Sequence, residues 1–298
     1  NAFERCPARR RAPHGLRSVP AFRMSSELLS PHRGVGHIWG DRRPIVIGMV
    51  HLPPLPGAPR WSGSLDEMRE RALADARALE EGGVDGIIVE NFGDAPFYPG
   101  AVPAETIAAM AVITADVVRA VGVPVGVNVL RNDAAAALAV AAAAGARFIR
   151  VNVHTGAMLT DQGWITGRAH ETVRLRARIA PTVAIAADVL VKHATPPPGL
   201  EAARAAEDAW HRGLADVLIV SGAATGKPTD VERIRAVKAA VPEATVWAGS
   251  GVDADNIAAV LGVADGAIIG SAFQRGGRAG EPVEPARVRA VLAAAGRG

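Results

Sequence analysis

The feature that most restricts the fold is a repeated alternation of short apolar runs with helix-patterned segments. Runs rich in Val, Ile and Ala begin near Ile45, Val84, Val123, Arg147, Thr182, Ala215, Thr245 and Gly266. Each leads through a polar turn into a segment of helical periodicity, near 66–81, 104–121, 134–144, 168–179, 199–212, 229–240, 254–261 and 286–295. Strands that alternate with helices pair in parallel, because each helix carries the chain back to the same end of the sheet. Eight such units in about 250 residues suit a closed (β/α)8 TIM barrel, here spanning 45–298 without an internal linker. The rival, an open doubly wound sheet, places its phosphate-binding turn after the first strand rather than the last two.

Charge separates the ends of the chain. Residues 1–44 hold nine arginines against Glu4, Glu27 and Asp41, a net +6, so a chain of net charge +3 leaves −3 for the remainder. A mildly acidic body lacks the basic face that nucleic acid requires, so no nucleic-acid partner is expected. The Arg- and Pro-rich composition predicts a poorly ordered basic extension over 1–44. No methionine precedes Met24, so residues 1–23 are open to reading as upstream sequence. One cysteine, Cys6, allows no disulfide within the chain and suits a reducing, cytoplasmic setting. The longest apolar stretch, Ala134–Gly145, falls short of the roughly 18 residues that would suggest a membrane span, and no signal peptide is visible. A homo-oligomer is left open.

Two small-residue turns close the last two units. WAGSGVDADN (Trp247–Asn256) contains Gly249, Ser250 and Gly251, and AIIGSAF (Ala267–Phe273) contains Gly270 and Ser271. Barrels of this kind often seat a phosphate in the loops after strands seven and eight. Glycines let backbone N–H groups approach an anion closely, and a helix starting near Asp253 would aim its N-terminal partial charge at the same place. Ser221 and Gly222, at the end of the sixth strand, complete the expected phosphate site. The plain alternative is that these are only tight turns. The segment Gly222–Thr229 resembles a P-loop but has three residues between its glycines where four are required.

Polar residues gather at the strand ends. In Arg150-Val151-Asn152-Val153-His154, alternation puts Arg150, Asn152 and His154 on one face and the valines on the other. His51 ends the first strand, Glu90 and Asn91 the second, Asn128 with Arg131 the third, Asp188 with Lys192 and His193 the fifth, and Ser221 the sixth. Active sites of this fold lie at that face. Glu90, Asp188, His51 and His154 are the candidate proton donors and acceptors. Arg131, Arg150 and Lys192 supply positive charge for a second anionic group or a developing oxyanion; Lys192 as a Schiff-base amine is a lesser option. Asp188 is expected to be replaceable by alanine with loss of turnover but not of fold. A divalent metal on His51, Glu90, His154 and Asp188 is conceivable, though no compact ligand motif supports it and no cofactor is predicted. The bland reading of the ring is a polar network that only holds the barrel together. The loop Thr155–Gly167 is longer than an ordinary βα turn and reads equally as a lid or an inert insertion.

The segments MVHLPPLPG, DGIIVENFGD, GVNVLRND, FIRVNVHTGAMLTDQG, ADVLVKHA, IVSGAATG and GSGV together resemble the BtpA/SgcQ family, from about Ile45 to Phe273. The resemblance carries over His51, Glu90, Asn91, Asn128, Arg131, Arg150, Asn152, His154, Asp161, Asp188, Lys192 and Ser221 without assigning them catalytic roles. At the eighth strand Phe273-Gln274-Arg275 stands where the family often has a lysine-containing turn. The family is similar to ribulose-phosphate-binding barrels and is associated both with photosystem I biogenesis and with sugar metabolism. The resemblance leaves the function open; the polar ring and the phosphate loops together point to an enzyme that acts on a small phosphorylated metabolite, a sugar phosphate or nucleotide-derived compound, by isomerase- or lyase-type acid–base chemistry. The alternatives are a non-catalytic assembly factor for a membrane complex and a barrel that binds a phosphate ligand without turnover.

Overall fold

A computed structural model describes residues 34–222 and 230–297. Cys6, the arginines up to Arg33 and the P-loop-like residues after Gly222 lie outside the described residues. Eight parallel strands close into a barrel: β1 (Ile45–His51), β2 (Gly86–Glu90), β3 (Val125–Asn128), β4 (Phe148–Val151), β7 (Ala184–Val189), β8 (Val217–Val220), β9 (Val246–Ala248) and β10 (Gly266–Ile269), which pairs back onto β1. Between them run α2 (Leu65–Gly82), α3 (Ala104–Ala120), α4 (Ala134–Ala144), α5 (Ala169–Ile179), α6 (Ala202–Glu207), α7 (Val231–Ala240) and α8 (Ile257–Leu261), and α9 (Pro285–Ala294) follows the last strand. The TIM barrel expected from the eightfold alternation is the architecture found.

Alternation divides each strand between two cores. Val46, Val50, Ile87, Val89, Ile149, Ile185 and Leu218 face the helices. Ile45, Ile47, Met49, Ile88, Phe148, Ala184, Ala186, Ile219, Trp247 and Ile268 fill the barrel. The inward column of every strand then ends, at the C-terminal edge, on His51, Glu90, Asn128, Arg150, Asp188, Ser221, Gly249 and Gly270. The register sets His51 beside Glu90, Glu90 beside Asn128 and Asn128 beside Arg150. A polar ring is therefore a consequence of strand period, not of any one turn.

Below the ring the barrel is plugged by aromatics. Phe148 and Trp247 stand edge to face with ring centres 6.0 Å apart, and Trp39 closes on both at 5.3 and 5.6 Å. Gly126 makes room for Phe148: a Cβ there would lie 2.4 Å from its ring.

Several local expectations change. Residues 34–44 are packed structure rather than loose extension: α1 (Gly36–Trp39) lays Val35, Ile38 and Trp39 against the inner core, and Trp39 Nε1 and Arg42 bond Asp85. The loop Thr155–Gly167 is a hairpin of β5 (Ala157–Thr160) and β6 (Gly163–Thr166), held by Met158 and Ile165 against Val153 and Val191. The helix expected at 199–212 is α6 continued by a π turn over Asp208–Arg212. The one expected at 254–261 shrinks to the five residues of α8, so no helix starts at Asp253 to aim charge at the seventh loop. Among the described residues no helix is long and apolar enough to cross a membrane.

The packing of Phe148 against Gly126 predicts a non-additive pair. Phe148→Ala should cost about 3–5 kcal/mol, a fully buried aromatic. Gly126→Ala should be destabilising in the native background and markedly less so beside Phe148→Ala, because the clash is gone. Urea unfolding of the four proteins checks this.

Candidate functional site

The ring opens into a cavity of about 280 Å³ at the C-terminal mouth. His51, Glu90, Arg131, Arg150, Asn152 and Lys192 line it together with Gly249, Ser250, Gly251, Gly270 and Ser271. Apolar surface comes from Met49, Phe92, Phe97, Leu130, Val252 and Ile268. Side chains that begin on seven different strands or their loops thus converge on one space.

Glu90 and His51 face each other within it. Asn128 Nδ2 donates to Glu90 Oε2 at 2.6 Å, which leaves Oε1 turned toward His51 Nε2 at 3.7 Å. The tautomer of His51 follows from the eighth loop. Both side-chain atoms of Gln274 lie near Nδ1, Oε1 at 3.3 Å and Nε2 at 3.0 Å. The Gly280 N–H decides between them: it donates to Gln274 Oε1 at 3.1 Å and toward His51 Nδ1 at 3.3 Å. A ring nitrogen that receives an N–H must present a lone pair. Gln274 Nε2 therefore donates to Nδ1 as well, and the neutral ring carries its proton on Nε2, the edge beside Glu90. Burial pushes the His51 pKa below the ordinary value; Lys192 and Arg150 add to the shift, and Glu90 opposes it. Phe92 stacks on the ring at 4.3 Å. With Nδ1 occupied by the Gln274 and Gly280 N–H groups, the neutral ring presents its Nε2–H to the cavity.

Asp188 has a different situation. Arg150 grips it in a fork, Nε to Oδ2 and Nη2 to Oδ1, both at 2.9 Å. Asn152 Nδ2 adds a bond to Oδ2 and Ser221 Oγ one to Oδ1, each at 3.1 Å. All four donors to the Asp188 carboxylate come from neighbouring side chains, which fix it under the site. Gly249 is required here, since a Cβ on it would fall 2.5 Å from Ser221 Oγ. Asn152 Oδ1 is buried and receives no donor among the described residues.

His154 is not in the cavity, which corrects its expected place on the inward face. β4 ends at Val151, and beyond it alternation no longer governs direction. His154 lies behind the barrel wall, its Nε2 2.8 Å from the carbonyl of Gly213. Burial lowers its pKa to about 4. Asn91 also serves structure: its Oδ1 accepts from Leu130 N–H at 2.7 Å, and its Nδ2 donates to Asp94. Asp161 is exposed on the hairpin, and its field reaches Arg131 and His193. Ser221 reaches the site only through Asp188, and Gly222 is not among the cavity residues. The conceived metal set does not assemble, and among the described residues no three His, Cys, Asp or Glu side chains could hold an ion together. Residues that sequence reasoning passed over are Gln274, Phe92 and Gly280.

Fold and site together define a (β/α)8 barrel with a small, charged cavity at the C-terminal ends of its strands. The chain belongs to the BtpA family, whose model matches residues 42–297. It is 49% identical over 253 residues to the photosystem I biogenesis protein BtpA of Synechocystis sp., covering 85% of this chain and 88% of that one. It is 34% identical over 246 residues to the putative sgc region protein SgcQ of Escherichia coli, covering 82% and 91%. Among solved structures, the N-(5'-phosphoribosyl)anthranilate isomerase of Pyrococcus furiosus aligns with a TM-score of 0.53 at 13% identity, over 85% of this chain and 99% of that one. The thiamine phosphate pyrophosphorylase of the same organism aligns at 0.51 and 18%, over 85% and 95%. At such identities these two show the shared barrel.

Two outcomes follow. Asp188→Ala leaves Arg150 buried and unpaired, so it should cost about 3–5 kcal/mol in urea unfolding, with part recovered by adding Arg150→Met. For His154, the unfolded chain binds a proton between pH 6.5 and about 4 that the folded chain does not. Stability should therefore rise with pH through that window and be fully present above it. The difference from His154→Gln should change by roughly 3 kcal/mol across it.

Proposed function

We propose that this protein is an enzyme of the cytoplasm that acts on a small phosphorylated metabolite, with Glu90 as general base and the Nε2–H of His51 as hydrogen-bond donor. The observation that carries the reading is a set of unspent backbone donors. The N–H groups of Gly251, Val252 and Ser271, all cavity residues, donate to nothing among the described residues. Successive free amides in small-residue loops suit a phosphate, and the cavity they share contains a carboxylate with one free oxygen beside a neutral imidazole. Relatives in fold whose names carry a phosphoribosyl or phosphate group are in keeping with it.

In this reading Glu90 Oε1 removes a proton from carbon beside a carbonyl, and His51 Nε2–H bonds the oxygen on which charge develops. A neutral donor of low basicity polarises that oxygen without first surrendering a proton. Gln274 and Gly280 hold the tautomer, and Asn128 holds the base. Asn152 Oδ1 accepts from a substrate hydroxyl. The outcome is an isomerase- or lyase-type reaction; Asp188 and His154 take no proton in it.

The test is deuterium exchange in D2O, followed by proton NMR on a panel of sugar phosphates and their dephosphorylated forms. A phosphorylated compound at 100 times its Kd should add roughly 2.7 kcal/mol to stability and exchange one C–H. Glu90→Gln should slow that exchange about 10²–10⁴-fold while binding persists. Equal stabilisation by phosphorylated and dephosphorylated forms, or exchange indifferent to Glu90→Gln, would overturn the reading. The similarity to a photosystem I biogenesis protein favours a second reading, assembly of a membrane complex by binding alone. There Glu90→Gln would leave the biological role intact.

A further inference from the structure

Arg131 and Lys192 raise a question the acid–base pair does not answer. Arg131 is 7% exposed, and its guanidinium donates to a carbonyl, Nη2 to Lys192 O at 2.7 Å. Lys192, half-buried, stands beside it, and neither cation has an ion-pair partner among the described residues. Arg150, the third cation, is already paired with Asp188. Arginine is seldom buried without a counter-charge, because its desolvation is otherwise uncompensated. Both groups line the cavity, so the missing anion belongs to whatever fills it.

Topology says where. In the ring order β1-β2-β3-β4-β7-β8-β9-β10, β3 stands opposite β9 and β4 opposite β10. Arg131 follows β3 and Lys192 follows β7, the strands on either side of β4. The free amides of Gly251, Val252 and Ser271 follow β9 and β10. The two cations and the amides therefore occupy opposite walls, with Glu90 and His51 on the flank between them.

Resting on the phosphate reading above, we propose that Arg131 and Lys192 form a second anion seat, so that the ligand carries a carboxylate at the end opposite its phosphate. Charge favours a carboxylate over a second phosphate. Arg131, Lys192 and Arg150 stand against the carboxylates of Asp188 and Glu90, whose fields reach all three, and one positive charge is left for a monoanion. Asp161, at the exposed rim, contributes a field screened by water. The cavity of about 280 Å³ holds a compact phosphorylated acid and sits at the lower limit of ligand pockets, about 300 Å³. Burial holds both cations below their ordinary pKa values against the opposing pull of Asp188 and Glu90.

The test needs no knowledge of the ligand's length, because each seat is probed with its own small anion. Inorganic phosphate and acetate are titrated into the full chain, separately and together, with chloride holding ionic strength constant. Two seats predict that each binds in the presence of the other. Arg131→Met should weaken acetate about tenfold or more and leave phosphate within about twofold; Ser271→Asp should do the reverse. Lys192→Met repeats the first arm should Arg131→Met unfold. Competition between the anions, acetate binding untouched by both Met variants, or equal weakening of both anions by Arg131→Met would overturn the second seat. Loss of phosphate binding in the native chain with acetate retained would instead sink the phosphate reading alone; loss of both would sink both.

Discussion

Closure of eight parallel strands is the constraint from which the rest of this structure follows. A closed sheet leaves its inward side chains no solvent and no partner layer, only one another. Near the floor the solution is volume: Phe148, Trp247 and Trp39 fill the space that glycine and alanine leave on neighbouring strands. At the mouth the same columns end on polar groups, and each must find a partner or a ligand. Position along the strand decides which of the two problems a residue has.

The polar ring was legible because it depends on a period of two, which survives errors of a residue or two in strand boundaries. His51, Glu90, Arg150 and Lys192 line one cavity as alternation and the end of each strand suggest. His154 shows where that inference stops. It lies three residues beyond Val151, where the strand ends, and the pattern holds only while the strand lasts. Strand ends are set by loop packing, here the hairpin on Val153 and Val191, and a hydrophobic pattern carries little trace of it.

Other features were illegible for reasons of distance. Trp39 sits in an arginine-rich stretch that reads as tail, and its role depends on the hollow between Phe148 and Trp247, residues more than a hundred positions away. Gln274 lies 223 residues from His51, and nothing local marks an amide that will fix a histidine tautomer. One faint sign existed: the eighth loop carries an uncharged polar residue just past its Gly-Ser turn, where the family often has a lysine-containing turn. The hairpin in the fourth loop was visible as excess length, but not as paired strands, since TGAMLTDQGWITG alternates weakly.

Glu90 and Asp188 make the sharpest case for reading a site by its unsatisfied atoms. Both are carboxylates at the C-terminal ends of inward columns, and residue type alone ranks them equally. The difference is the number of donors each already has. Asp188 takes four, from Arg150, Asn152 and Ser221, so a proton placed on it would have to displace one of them. Glu90 takes one, from Asn128, and its second oxygen is left with an imidazole N–H at 3.7 Å, too far to be spent on it. The same count separates Arg150, which is answered within the protein, from Arg131, which is not. Function in a closed barrel is then sought in the groups that the fold brings inside and leaves incomplete: one carboxylate oxygen, one guanidinium, one ammonium and three amides around a single cavity.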